Sequence, residues 1–225
     1  VYDLYRNGYA LAELVLSQNA CERLIDALPH VDAGRGGLRN LIDDETVVRV
    51  IRDERFAAAI ASAAEPGLVA VKATLFDKTP RANWRVAWHQ DRAVAVREQR
   101  DVDGFGPWSV KRGVPHVEPP ASVLERMVAV RIQLDDCGAG NGPLRVIRRS
   151  HRGGKLTDAQ LAEAAATGPV AVLALPQGSL LLMRPLLVHA SSPAETPAHR
   201  RVLHIELAPR DAIGPLEWYR AVPLA

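Results

Sequence analysis

Two side chains able to hold a metal, His89 and Asp91, stand two residues apart in the segment Arg85-Val86-Ala87-Trp88-His89-Gln90-Asp91. The segment alternates as a strand does, and residues i and i+2 of a strand project from one face, so an imidazole and a carboxylate converge on one point. A His-x-Asp pair alone arises by chance in a chain of this length, so its weight depends on partners. A third candidate, His189, ends the apolar run Leu186-Leu187-Val188-His189. Two histidines and one carboxylate, with the third ligand on a late strand, make the facial arrangement that holds Fe(II) in non-heme oxygenases and leaves three octahedral positions for co-substrate and dioxygen. Eleven residues after His189, Arg200 opens the segment Arg200-Arg201-Val202-Leu203-His204-Ile205-Glu206-Leu207. A guanidinium there can form a two-pronged salt bridge with the distal carboxylate of a dicarboxylic co-substrate. Arg201 is the rival, because neighbours on a strand face opposite ways and one of the two enters the interior.

The elements that must position these residues change character along the chain. Gly8 to Val15 reads as a short strand, Ser17 as the N-cap of a helix through Ala27, and Asp43 to Ala64 as two helices broken near Asp53 and ended by Pro66-Gly67. The glycine-rich stretch Asp32 to Asn40 reads as a flexible loop, since no Lys-Ser/Thr follows to complete a phosphate cradle. From Leu68 onward strands dominate: Val69–Phe76, Trp84–Asp91, Ala93–Arg97, Met127–Leu134, Leu144–Ile147, Val170–Leu173, Ser179–Met183, Leu186–Ala190 and Arg200–Leu207. Thr157 to Ala166 is the one helix among them, and Arg100 to Pro120 is expected to be a long loop of the kind that covers a binding site. Many short strands in one apolar-rich run imply a jelly roll or a barrel.

The expected organisation is a single domain over 1–225: an N-terminal strand and helices (1–67), a β-barrel core (68–209) and a C-terminal tail (210–225). With 28 basic and 26 acidic residues dispersed along the chain, no basic stripe argues for nucleic acid and no apolar span for a membrane, so a small-molecule partner is expected. Cys21 and Cys137, far apart, support neither a disulfide framework nor a zinc knuckle, and a reducing cytoplasm is the expected compartment. The composition does not bear on oligomeric state.

His89-Gln90-Asp91, then Leu134-Asp135-Asp136, Asn141-Gly142-Pro143-Leu144-Arg145-Val146-Ile147, Ser150-His151, His189 and Arg200 occur in the order found in the phytanoyl-CoA dioxygenase family of Fe(II)/2-oxoglutarate oxygenases, and the stretch from Val69 to Pro209 resembles that family. The resemblance implies a mainly β fold with flanking α-helices, the double-stranded β-helix (jelly-roll, cupin-like barrel). It implies His89, Asp91 and His189 as iron ligands and Arg200 as the clamp on the 2-oxoglutarate C5 carboxylate, with Fe(II), 2-oxoglutarate and O2 as the cofactors. One departure stands out: where the family commonly has Pro-Gly before Ser-His, this chain has Arg148-Arg149, trading backbone freedom for two cations.

The reaction implied is hydroxylation of an unactivated C–H bond of a small molecule, with succinate and CO2 released. Asp91 fills the position that halogenating relatives leave open for chloride, which favours hydroxylation over halogenation; desaturation and ring formation stay open. The alternative is a cupin-like β-barrel that binds a metal or ligand without oxygenase turnover. Gln133 and Lys72, on strands, are further candidates for contact with 2-oxoglutarate, while Trp108, Arg97 and Arg148 are candidates for contact with substrate. Of the other histidines, His30, His116 and His199 are expected in solvated loops, and His151 and His204 packed or supporting the site. Gln90 is expected to face away from the site and receives no chemistry.

Overall fold

In the computed structural model, which describes residues 2–32 and 34–225, the chain before residue 68 forms α1 (Tyr2–Asn7), β1 (Tyr9–Ala12), α2 (Gln18–Ala27), β2 (Gly37–Arg39), α3 (Glu45–Ile51) and α4 (Glu54–Ala61). There follow β3 (Leu68–Lys78), β4 (Val86–His89), β5 (Val94–Ala95), β6 (Trp108–Lys111), β7 (Val114–Val117), α5 (Ala121–Arg126), β8 (Val128–Gln133) and β9 (Leu144–Ile147). After a 3-10 turn at Ser150–Gly153 come α6 (Asp158–Thr167), β10 (Val170–Leu173), β11 (Leu180–Met183), β12 (His189–Ser191), β13 (Arg200–Pro209) and β14 (Val222–Pro223).

Side-chain acceptors start the helices where the sequence places them. Ser17 caps α2 through Ala20, Asp44 caps α3 through Thr46 and Val47, and Asp53 caps α4 through Arg55 and Phe56, so Asp53 is the break between the two helices. Thr157 and Gln160 form a reciprocal capping box at the start of α6.

The strands pair antiparallel in three sheets. The largest runs β1-β11-β8-β13-β3-β14 with β2 also on β3, the second runs β10-β9-β12-β4, and the smallest runs β5-β7-β6. This is the expected jelly roll, mainly β with flanking helices. Alternation along β13 shows how it is held: Leu203 and Ile205 enter the apolar layer between the large sheet and the helices, with Leu24, Val47, Ile51, Phe56 and Ile60, whereas Arg200, His204 and Glu206 point to the other side. β3 and β8 follow suit, with Ala73, Leu75, Val130 and Ile132 outward and Lys72, Thr74, Phe76 and Arg131 inward. Burying a side chain of Leu or Ile size contributes roughly 1.5–3 kcal/mol, so this parity fixes the register.

Several expectations change. The stretch from Arg100 to Pro120 contains the β6–β7 hairpin, registered Trp108 to Val117 and Lys111 to Val114, instead of an irregular loop. The stretch from Asp32 to Asn40 yields β2, whose Gly37–Arg39 pair with Phe76, Leu75 and Thr74 of β3; Ala33 within it lies outside the described residues. The strand expected to end at Asp91 stops at His89, and the one expected from Leu186 begins at His189. His116, expected in a solvated loop, is buried on β7, because the hairpin covers it. Among the described residues, no helix is long and apolar enough to cross a membrane.

Candidate metal centre and co-substrate cavity

His89 ends β4 and His189 begins β12, and the two are direct partners across that strand pair. Their rings lie 4.1 Å apart, centroid to centroid, tilted by 53°. Asp91 follows β4 and is fixed by its own N–H, which donates to the Pro185 carbonyl at 2.9 Å. Its two oxygens point at the two imidazoles, 3.6 Å from His89 Nε2 and 3.6 Å from His189 Nε2. One ligand atom from each of the three residues lies within 4.8 Å of the others, spacing that a single divalent ion bridges.

Backbone carbonyls set the imidazole tautomers. Nδ1 of His89 lies 2.9 Å from Ala87 O, and Nδ1 of His189 lies 2.8 Å from Leu187 O, so each Nδ1 is the donor and each Nε2 keeps its lone pair for a metal. Burial drives the His189 pKa down to about 4, which keeps it a neutral ligand at pH 7. Burial also disfavours the imidazolium of His89, but the hydrogen bond and charge of Asp91 outweigh it and raise that pKa. For Asp91, burial pushes upward, yet His189, His89 and His204 hold it well below the usual carboxylate range.

These ligands line a cavity of about 420 Å³ whose opposite wall is the inner face of the large sheet. Arg200 lines it, as do Lys72, Arg131, Ser191, His204 and Glu206. Arg200 is 4 % exposed and donates through Nη1 to the Gly142 carbonyl, while its Nε has no hydrogen-bond partner among the described residues. Arg131 repeats the pattern: it is buried, one nitrogen lies 3.2 Å from His204 Nδ1, and its Nε is unpartnered. Burial lowers both guanidinium pKa values, that of Arg131 to about 10, and neither has a carboxylate salt-bridge partner among the described residues. Two buried, incompletely paired cations beside a three-ligand face fit an anionic metal-chelating molecule with a second carboxylate.

Parity separates the two candidate arginines. Arg200 enters the cavity; Arg201, one residue on, makes a two-pronged pair with Asp135 at 2.7 and 2.8 Å on the other face. Lys72 does reach the cavity, but its ammonium is 2.6 Å from Glu206. Gln133 is buried on the inner face of β8 yet does not line the cavity. The proposed substrate contacts do not gather there. Trp108 packs in the apolar cluster of the hairpin, Arg97 pairs with Glu217, and Arg148 is exposed.

Sequence reasoning missed four contributors. Ser191 stands two residues after His189 and lines the same cavity, a position that strand alternation could have revealed. Arg131 had no local signal. Gln90, given no chemistry, anchors the metal loop: its amide donates to Gly154 O at 2.8 Å and Leu186 O at 2.7 Å and accepts from Leu156 N at 2.9 Å. The hydroxyl of Ser150 accepts from the N–H of Val188 at 2.8 Å, pinning the residue before His189. Arg149 keeps a left-handed φ of +70°, so the loop retains the glycine-type backbone although the glycine is gone.

The model of the phytanoyl-CoA dioxygenase (PhyH) family matches residues 4–202, most of the chain. The chain belongs to the phytanoyl-CoA dioxygenase family. The expected cofactors of that family, Fe(II) and 2-oxoglutarate with dioxygen, stand with the three-ligand face. Solved structures share the fold. AviO1 from Streptomyces viridochromogenes Tue57 is 25 % identical with a TM-score of 0.66, covering 92 % of each chain. HygX from Streptomyces hygroscopicus, solved with nickel and 2-oxoglutarate bound, is 16 % identical with a TM-score of 0.65, over 92 % of this chain and 84 % of that one. SnoN, a non-heme alpha-ketoglutarate-dependent epimerase from nogalamycin biosynthesis, is 15 % identical with a TM-score of 0.62, over 93 % of this chain and 80 % of that one. The search of curated proteins gave no match.

Proposed function

We propose that this phytanoyl-CoA dioxygenase family member hydroxylates an unactivated C–H bond of a small molecule, turning 2-oxoglutarate into succinate and CO2. The observation that carries the reading is one cavity holding both the His89, Asp91, His189 face and the buried, carboxylate-free guanidinium of Arg200. A barrel that merely stored a metal would have no use for that cation.

Bound Fe(II) would activate dioxygen, the oxidant, while 2-oxoglutarate gives up two electrons in becoming succinate and CO2, so that one oxygen atom goes to succinate and the other to the substrate C–H bond. The chain supplies placement. His89 and His189 present Nε2 because their Nδ1 atoms are committed to carbonyls, and Asp91 contributes the negative charge. Arg200, steadied by the Gly142 carbonyl, holds the distal carboxylate of 2-oxoglutarate, with Ser191 beside it. Phe76, Trp84 and Leu144 line the same cavity and exclude water from part of its wall.

Anaerobic titration with Fe(II) and 2-oxoglutarate tests the reading. A weak metal-to-ligand charge-transfer band should appear in the visible and vanish in Asp91→Ala. A protein that binds the metal but gives neither band nor succinate is a binding module. With a turning-over substrate, a product carrying one added oxygen atom confirms hydroxylation, whereas an epimerised or cyclised product replaces that step while keeping the oxygenase class.

A further inference from the structure

Beyond Arg39, Thr74, Phe76 and Trp84 the metal cavity continues into a second chamber of about 370 Å³ that shares those four residues with it. Its walls add Arg35 and Arg112, and no carboxylate lines it. Three exposed arginines therefore line this chamber together with two aromatic side chains. Arg35 has a loose exposed contact with Asp32 at 3.5 Å, of a kind that contributes little. Arg39 and Arg112 have no ion pair or side-chain hydrogen bond among the described residues.

The backbone is shaped to bring these groups together. Gly36 lies flat against Trp84, where a Cβ would stand 2.8 Å from the ring, and Gly37, at φ +149°, passes so close to β3 that a Cβ would meet Leu75 O at 2.1 Å. Arg112 occupies the tip of the β6–β7 hairpin at φ +51°, followed by Gly113 at +78°. Both tip residues are left-handed, a geometry that Asn, Asp or Gly adopts at less cost than Arg, so the guanidinium itself is the feature gained there. Lys111 beside it has its pKa lowered chiefly by burial, then by Lys72 and Arg39, with Glu206 and Asp91 opposing, which places Arg39 within electrostatic reach of the hairpin tip.

We propose that this second chamber is the anion subsite for the substrate: Arg39 and Arg112, with Arg35 at the rim, bind a phosphate, sulfate or carboxylate substituent. The flat or apolar body of the substrate lies along Trp84 and Phe76 and reaches toward His89, Asp91 and His189. Which end is oxidised rests on the oxygenase reading; the anion site does not.

The test uses the full chain with Ni(II) and saturating 2-oxoglutarate, so the Arg200 region is filled, and phenyl phosphate as probe, with phenol as its neutral counterpart. Phenyl phosphate should bind saturably by calorimetry, quench tryptophan emission through Trp84, and bind at least tenfold more weakly in Arg39→Gln and in Arg112→Asn. Affinity should also fall as salt rises toward roughly 0.5 M. Phenyl sulfate and benzoate, run in parallel, rank the anion. Arg112→Asn removes a strained residue, so lost binding in that variant is not lost folding. The proposal is overturned if phenyl phosphate binds no better than phenol, or if Arg112→Asn binds it as the parent does. The Fe(II)–2-oxoglutarate band, read anaerobically on a parallel portion of the same metal-free protein loaded with Fe(II) in place of Ni(II), keeps the two readings apart. Anion binding without the band removes the oxygenase and leaves the subsite; the band without anion binding does the reverse.

Discussion

His189 stands directly opposite His89 across the β12–β4 pair, and each ring is oriented by the carbonyl two residues before it. The metal face is therefore a property of the strand register, and Asp91 joins it through the Pro185 carbonyl. Replacing His89, Asp91 or His189 with Ala should weaken metal binding by more than the 10–100-fold that losing an orienting partner typically costs, measured by competition with a chromogenic chelator. His189→Ala should also lower the melting temperature more than His89→Ala, because the His189 side chain is 5 % exposed and that of His89 38 %. Equal thermal losses would contradict this account of the two sites.

Arg200 and Arg201 should separate cleanly. Truncating a buried charge that binds a carboxylate costs on the order of 2 kcal/mol or more, so Arg200→Ala should raise the 2-oxoglutarate concentration needed for the visible band roughly 30-fold or beyond. Arg201→Ala breaks the two-pronged contact with Asp135 and should instead lower stability by roughly 1–2 kcal/mol, with the band reached at the parent concentration. The opposite pattern would reverse the assignment.

Gln90 ties the segment between the two N-terminal ligands to Gly154, Leu156 and Leu186. Gln90→Ala leaves these part-buried groups unpaired and should destabilise the protein by about 1–3 kcal/mol in urea unfolding. It should also weaken metal binding, by less than any ligand substitution does. Gln90→Glu, which removes the two amide donors while keeping the acceptor, should fall on the same side. A Gln90→Ala protein as stable as the parent would show that the latch contributes nothing.

Lys78 gives a pH signature. It is 1 % exposed, lies 3.2 Å from Ser191 Oγ, and has its pKa lowered by burial, then by Arg200, from 10.5 to about 8. Between those values the unfolded chain binds more protons than the folded one, so stability contributed through Lys78 rises with pH across that window. The cost of charging it in the fold, roughly 3 kcal/mol as an upper bound, is present below pH 8 and relieved toward 10.5. The stability difference between the parent and Lys78→Met should therefore shift in favour of the parent from pH 7 to pH 9.5 in denaturant titrations. A difference that stays constant, or moves the other way, removes Lys78 as the source.

The sequence by itself determined the candidate residues and the kind of fold. His89 and Asp91 were legible as one pair because strand alternation is local, His189 and the Arg200-Arg201 pair as candidates by side-chain type and order along the chain, and the helix caps Ser17, Asp53 and Thr157 by their local chemistry. Tertiary structure alone decided what depends on pairing. That Arg200 faces inward and Arg201 outward follows from which side of β13 the helices cover. That Arg131 joins the cavity follows from its register opposite His204, which no spacing along the chain encodes. The hairpin and β2 were read as loops because Gly, Pro and Arg have weak strand propensity; pairing with neighbours distant in sequence supplies the hydrogen bonds those segments lack on their own. The same pairings carry Arg39 and Arg112 to one chamber, just as β12–β4 pairing sets His189 opposite His89: the side-chain types are written in the sequence, and their meeting is a product of strand register, because contacts between residues distant in the chain have no local signal.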